Sequence, residues 1–309
     1  MLRHFISLKY FSKEQILKLI ELSFDIKKNP QKYREALKDK TIGLIFEKPS
    51  LRTKTAFYVG ALELGADTIY YGPEEIQLGK REKISDVART LSKFLSAVVI
   101  RTFAHSNLLE LVQYSSIPVI NGLDDFLHPS QALADVMTIL ELKGRIDNLK
   151  ISYIGDGDNV CHSLIYAFSI LGASFYIACP KKYMPSKEVL EEADKICKIS
   201  LGKIVITDSV IDVALGADVL YTDVWVSMGK EKEKNKRKKI FRNFQINDKL
   251  LRAANKDCIV MHCLPAHRGE EITDSVIDGK ASVVFTQAQN RLYTAKAILL
   301  YALGQNINL

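Results

Sequence analysis

Short apolar runs alternate with amphipathic stretches along this chain, and the series runs twice. Thr41–Phe46 reads as a buried strand, followed by a helical pattern over Arg52–Leu64 that Gly65 stops. Strand signals recur at Asp67–Tyr71, Ala97–Ile100 and Ile117–Ile120, separated by helical patterns at Ile84–Leu95 and Asn107–Tyr114. A long helix over Pro129–Leu142, closed by Gly144, precedes the second series. That series has strands at Lys150–Ile154, Ser174–Ala178, Lys203–Ile206, Asp218–Tyr221 and Cys258–Met261, with helices at Val160–Leu171 and Lys187–Ile199. A last helix runs over Gln289–Leu303. Strands of four to six residues that are apolar throughout belong to parallel sheets covered on both faces. Two such series predict two doubly wound α/β domains, split at 1–144 and 145–309. In sheets of this kind ligands bind beyond the carboxyl ends of the strands.

Composition narrows the function classes. At 309 residues, 47% hydrophobic and 26% charged, the chain has the make-up of a soluble globular protein. No apolar run reaches the length of a membrane helix, and no leader pattern is visible at the start, so a cytoplasmic chain is expected. The net charge is +7, and much of the excess lies in one run from Lys230 to Arg242, which reads as a solvated loop. No recognition helix or zinc finger accompanies it, so neither a nucleic-acid partner nor a membrane is expected. Five cysteines with no CxxC pair suggest reduced thiols.

The chemistry-bearing motifs follow the predicted strands. Glu47-Lys48-Pro49-Ser50-Leu51-Arg52-Thr53-Lys54-Thr55 leaves a strand and opens a helix. A helix amino end favours anions, and Arg52 offers a fork that matches phosphate; a plain Ser-capped helix would look the same. Arg101-Thr102 ends another strand, as either an anion ligand or a rim ion pair. His128-Pro129-Ser130-Gln131 opens the connecting helix, with Pro129 suited to its first position. His128 can donate to a carbonyl oxygen, and Gln131 lies one turn on. Gly155-Asp156-Gly157-Asp158-Asn159-Val160 lacks the third glycine of a dinucleotide loop, so no nucleotide cofactor is expected; Asn159 suits the charged ends of an amino acid. Asp223-Val224-Trp225-Val226-Ser227-Met228-Gly229 puts an acid after a strand, where it can meet a cationic amine. His262-Cys263-Leu264-Pro265 invites a zinc reading, but the remaining spacing fits no standard ligand set, and no metal is expected. Gln289-Asn290-Arg291, at the start of the last helix, offers another anion-binding arginine.

In their order along the chain, Ser-Leu-Arg-Thr, Arg-Thr, His-Pro-Ser-Gln-Ala-Leu-Ala-Asp and Gly-Asp-Gly-x-Asn make the chain resemble the aspartate/ornithine carbamoyltransferase family. The likeness covers nearly the whole length. Asp223 to Gly229 and His262-Cys263-Leu264-Pro265 look like the ornithine branch. The resemblance implies that residues 1–144 bind carbamoyl phosphate and 145–309 bind ornithine, with the last helix packing back on the first domain. Ser50, Leu51, Arg52, Thr53, Arg101, His128, Pro129, Ser130, Gln131, Cys263, Leu264 and Arg291 would contact carbamoyl phosphate. Gln77 would reach a neighbouring subunit's site within a homotrimer. Asn159, Asp223, Ser227 and Met228 would hold ornithine, and Arg52, Arg101, His128, Asp223 and Cys263 would carry catalysis without a cofactor. A putrescine, aspartate or acyl-ornithine transferase, a non-catalytic homologue and a basic nucleic-acid binder are the alternatives. The chain departs from the family at Gly79-Lys80-Arg81-Glu82-Lys83, where members commonly read Gly-Arg-Gly-Glu-Ser, and at Gln289, where a glutamate is usual.

Overall fold

Where five consecutive residues are buried, a strand must be covered on both faces, and three strands here meet that condition outright. The computed structural model describes residues 2–305, and the chain divides into two units, Met1–Met137 with Gln289–Leu309, and Thr138–Ala288. Unit 1 holds strands β1 (Thr41–Phe46), β2 (Asp67–Tyr71), β3 (Ala97–Arg101) and β4 (Val119–Leu123). They pair in parallel in the order β2-β1-β3-β4. Unit 2 holds β5 (Lys150–Ile154), β6 (Ser174–Ala178), β7 (Lys203–Thr207), β8 (Val219–Thr222) and β9 (Ile259–His262), parallel in the order β7-β6-β5-β8-β9. All of β3 and β4 is buried, whereas the edge strands β2 and β7 are partly exposed and carry polar residues.

Each sheet reverses its winding once. In unit 1 the chain goes from β1 out to β2, then returns to place β3 on the other side of β1; in unit 2 the same reversal separates β5 from β8. The crevice beyond the carboxyl ends at such a switch point is where doubly wound sheets take ligands. It lies after Phe46 and Arg101 in unit 1, and after Ile154 and Thr222 in unit 2.

Four sequence expectations are corrected. β4 runs Val119–Leu123 rather than Ile117–Ile120. Asn121 can continue the strand because it is fully buried and its amide donates to Ile6 O (3.1 Å) and Asp124 Oδ2 (2.9 Å). The helix expected over Ile84–Leu95 ends at Leu91, where Ser92 folds its hydroxyl back on Ala88 O. The last helix begins at Val284, not Gln289, so Arg291 lies two turns in. The Lys-rich run is not a loop: Glu231–Glu233 forms a 3-10 turn and Lys234–Phe241 a helix. Arg237, Ile240, Phe241 and Phe244 fall at i, i+3, i+4 and i+7, a helical stripe that the surrounding lysines hide. Phe241 is fully buried and stacks on Trp225 with ring centroids 6.1 Å apart.

Candidate functional site

In unit 1 the switch point gathers a cationic group. The segment after β1 turns into the helix Arg52–Glu63. Its amino end is capped by Ser50, whose Oγ accepts the amide of Lys54 (3.3 Å), rather than by the adjoining Leu51, which is exposed. Arg101 ends β3 at a register shift: Ile100 pairs with Asn121 but Arg101 with Leu123. Gly122 is the extra residue of this bulge, a device that re-aims the neighbouring side chain. A Cβ at Gly122 would stand 3.1 Å from Ile100 O and 3.4 Å from the Thr53 methyl. The missing side chain thus lets Thr53 close on the end of the sheet.

Helix Pro129–Lys143 starts with Pro129 at its first position and carries Ser130 and Gln131. His128, just before it, is 5% exposed. Burial first, then the charges of Arg291, Arg101, Arg52 and Lys48, hold its imidazole well below the usual histidine range. It is therefore neutral at pH 7. Ser130 Oγ lies 3.4 Å from Nδ1; in the tautomer where that hydroxyl donates, Nε2–H is the ring's donor. A chain of bonds braces the group. Arg291 donates to Gln131 Oε1 and to Thr53 Oγ1 (2.7 Å), and Gln131 Nε2 donates to Asp135 Oδ1 (2.8 Å). Because Thr53 Oγ1 accepts from Arg291, its own hydroxyl hydrogen is left to donate.

Sequence reasoning assigned no role to Lys48, although it stands two residues before Ser50. It is 4% exposed, with its ammonium 4.5 Å from the Phe103 ring centre. Gln77 is not bonded to this group among the described residues. It caps the short helix Pro73–Ile76 at φ 40°, is exposed, and donates to Glu74 O (3.3 Å).

Unit 2 gathers acids at its switch point. Asp223 follows β8, and its Oδ1 accepts both the Cys263 thiol (2.9 Å) and the amide of Val224 (2.7 Å). Burial pushes the Asp223 carboxyl up, and His262 and the Cys263 hydrogen bond oppose that rise. Asn159 opens the buried helix Asn159–Leu171, with its Oδ1 on the amide of Val160 (2.8 Å). Ser227 is half-buried and accepts the amide of Lys230 (3.0 Å), and Met228 is exposed. After β9, Leu264 takes a left-handed φ of 57° that donates its amide to His262 Nδ1 (2.9 Å). His262 Nε2 meets Glu271 Oε1 at 2.9 Å, with both side chains fully buried. Glu271 lies six residues beyond Pro265, and no sequence signal gave it this role.

Donor atoms of Asp223, His262 and Cys263 lie within 4.8 Å of one another. Each of these donor atoms is engaged with protein groups. The one ring lone pair of a neutral His262 is taken by the Leu264 amide, and the Cys263 thiol is spent on Asp223.

Two parallel-sheet units, one with a cluster of cations and one with acids at its strand ends, place the chain among two-unit α/β proteins. Residues 3–141 match the family model described as the carbamoyl-P binding domain of aspartate/ornithine carbamoyltransferase, and residues 147–302 match its Asp/Orn binding domain. The chain belongs to the aspartate/ornithine carbamoyltransferase family. It is 49% identical over 286 residues to a catabolic ornithine carbamoyltransferase of Thermoplasma acidophilum, covering 93% of this chain and 94% of the relative. It is 46% identical to an ornithine carbamoyltransferase of Methanocaldococcus jannaschii, covering 96% and 98%. Among solved structures it is similar to the ornithine carbamoyltransferase of Pyrococcus furiosus, with TM-score 0.94, 44% identity and coverage of 99% and 98%. The anabolic enzyme of Campylobacter jejuni gives 0.93, 40% identity and coverage of 97% and 99%.

Proposed function

We propose that this protein transfers the carbamoyl group of carbamoyl phosphate to the δ-amine of L-ornithine, giving L-citrulline and phosphate, within arginine metabolism. The observation that carries the reading is the neutral, buried His128 set among Lys48, Arg52, Arg101 and Arg291. A cluster of that sign suits a phosphate ester, and a neutral imidazole suits a carbonyl oxygen that becomes negative. The likeness in sequence and structure to ornithine carbamoyltransferases supports the choice of acceptor.

In this reading Ser50, the Leu51 amide, Arg52, Thr53 and Arg101 hold the phosphate. His128, Pro129, Ser130, Gln131 and Arg291 orient the carbamoyl group, with Cys263 and Leu264 completing its surroundings. Asn159, Ser227 and Met228 hold the α-carboxylate and α-amine of ornithine. Asp223 and Cys263 orient the δ-amine, which has a free pKa of about 10 and must give one proton to solvent before it attacks. The nitrogen lone pair adds to the carbonyl carbon, and the oxyanion is met by Arg101, Thr53 and the Nε2–H of His128. Collapse breaks the bond from carbon to the bridging oxygen. That oxygen leaves with the phosphate, which takes the amine proton. No residue need act as a separate base.

Two further features belong to the proposal. The chain works as a homotrimer whose Gln77 loops reach neighbouring sites, supported by the exposed apolar side chains Leu51, Tyr58 and Phe94 on unit 1. It resides in the cytoplasm, in keeping with the absence among the described residues of any helix long and apolar enough to cross a membrane. Citrulline formation is to be measured with carbamoyl phosphate and, in parallel, ornithine, putrescine, aspartate and N-acetylornithine, and the mass in solution by light scattering. Turnover confined to ornithine is expected. Turnover with another amine would keep the unit 1 assignment and discard that of Asp223 to Gly229, and a monomer would remove the shared site.

A further inference from the structure

We propose that Arg237 is a positioning residue for the amine substrate: its guanidinium ties the loop after β8 to the loop after β5 and thereby sets the affinity for ornithine. The proposal rests on the ornithine reading above.

Arg237 is set apart from the run that contains it. Lys232, Lys234, Lys236 and Lys239 are exposed, whereas Arg237 is 4% exposed. Its Nη1 donates to Asp156 Oδ2 (2.5 Å) and to Trp225 O (2.9 Å), and its Nε donates to Glu233 Oε2 (3.0 Å). The planar group lies 4.5 Å from the Tyr183 ring centre. Trp225 stands two residues from Asp223 and two from Ser227, and Asp156 stands three before Asn159. One side chain therefore touches both backbone segments assigned to the amine.

The far end of the tie is fixed. Asp156 is 4% exposed, and its carbonyl accepts the Tyr153 hydroxyl (2.8 Å). Gly157 donates its amide to Tyr183 O (2.9 Å) and packs so closely that a Cβ would fall 2.4 Å from Pro185 N. Lys230 adds a second, weaker tie, with Nζ 2.6 Å from Asp158 Oδ2 and 4.0 Å from Asp156 Oδ2. Burial and the neighbouring Asp158 push the Asp156 carboxyl up to about 6, while Arg237 and Lys230 hold it down. Without Arg237 that carboxyl would lose its main counter-charge. Three acceptors in different directions call for a guanidinium, because an ammonium is a point charge without the fixed fork. By contrast, the segment from Val226 to Glu233 is held mainly by its own short-range bonds, such as Gly229 N to Glu231 Oε1 (2.9 Å). Its placement therefore depends on Arg237 and Lys230.

The test uses the full-length purified protein as Arg237→Gln, Arg237→Lys and Asp156→Asn, with each substrate varied against a saturating level of the other. A loop out of place by an ångström costs on the order of a hundredfold, so Arg237→Gln is expected to raise the ornithine KM by about ten- to a hundredfold, with the carbamoyl phosphate KM changed less than about twofold. Arg237→Lys should recover part of that loss, and Asp156→Asn, which keeps shape and removes charge, should raise the ornithine KM in the same direction. Amide exchange over residues 223–233 should quicken in Arg237→Gln while β3 is unchanged. An unaltered ornithine KM in Arg237→Gln and Asp156→Asn would overturn the proposal. So would a parallel fall of kcat and both affinities together with melting temperature, the signature of a fold-wide role. Should the unaltered protein not use ornithine, the function reading fails on its own, and the tie is decided by exchange alone: unchanged exchange over 223–233 removes it.

Discussion

The two units solve the same placement problem with opposite charges and different scaffolding. Unit 1 sets its polar residues on regular elements: Arg101 at the end of β3, Thr53 on the first turn of one helix, Gln131 near the start of a second, and Arg291 inside a third. Unit 2 hangs Asp223, Ser227 and Met228 on a loop and fastens that loop by side-chain ties. A phosphate has the same shape in every carbamoyl donor, so a rigid cluster suits it. On the proposed reading an amino acid is held at both ends by two loops of unit 2, which suits segments that can yield.

The sharpest way to break this comparison is to remove one charge from each unit. Arg52→Ala is expected to lower kcat/KM for carbamoyl phosphate by roughly 3–5 kcal/mol, by loss of charge-assisted bonds to the phosphate and of positioning. A near-normal value in steady-state assays would take Arg52 off the phosphate. Asp223→Asn should cost about 2–4 kcal/mol in kcat/KM for ornithine while leaving the carbamoyl phosphate KM alone. Equal losses for both substrates would blur the division of labour.

pH offers a third probe. The folded chain keeps His128 neutral, whereas the unfolded chain protonates it below 6.5. The unfolded state thus gains protons first, and stability falls as pH drops below 6.5, by up to about 1.4 kcal/mol per pH unit from this group. Urea unfolding at pH 7 and pH 5.5 should show that slope weakened in His128→Asn; an identical slope would mean that the ring is not buried as described. His105 acts in the opposite sense. Its bond to Asp124 raises its pKa, so its contribution is present at low pH and fades as pH rises through the raised value. The smallest change expected is Gly122→Ala, a loss of about 1–2 kcal/mol in stability from crowding Ile100 O and Thr53.

The sheets were legible because parallel strands are apolar along their whole length, as in Thr41–Phe46 and Ala97–Ile100. The strand-end rule then located Arg101, Asp223 and Cys263 at or just after strands, where the structure has them. What escaped was polar chemistry made interior by partners distant in sequence. Asn121 is a polar residue in a buried strand, and its amide is satisfied there by Ile6 O, 115 residues earlier. Arg237 looked like one more solvated cation until Asp156, 81 residues earlier, paired with it. Neither pairing leaves a local pattern, and the helix around Arg237 is only 8 residues long, too short for its periodicity to stand out against seven neighbouring Lys and Arg residues.

The brace from Arg291 to Gln131 and Thr53 also has a meaning in time. Gln131 leaves the ribosome 160 residues before Arg291, an interval of roughly 8–30 s at ordinary rates of synthesis. Through that interval the anion trap stands without the arginine that orders it. On the proposed reading, a nascent chain therefore has little grip on carbamoyl phosphate, and an interrupted one never acquires it. Ligand binding becomes a report that synthesis has passed the last helix, and the stabilisation that a bound ligand confers is reserved for chains that have reached it.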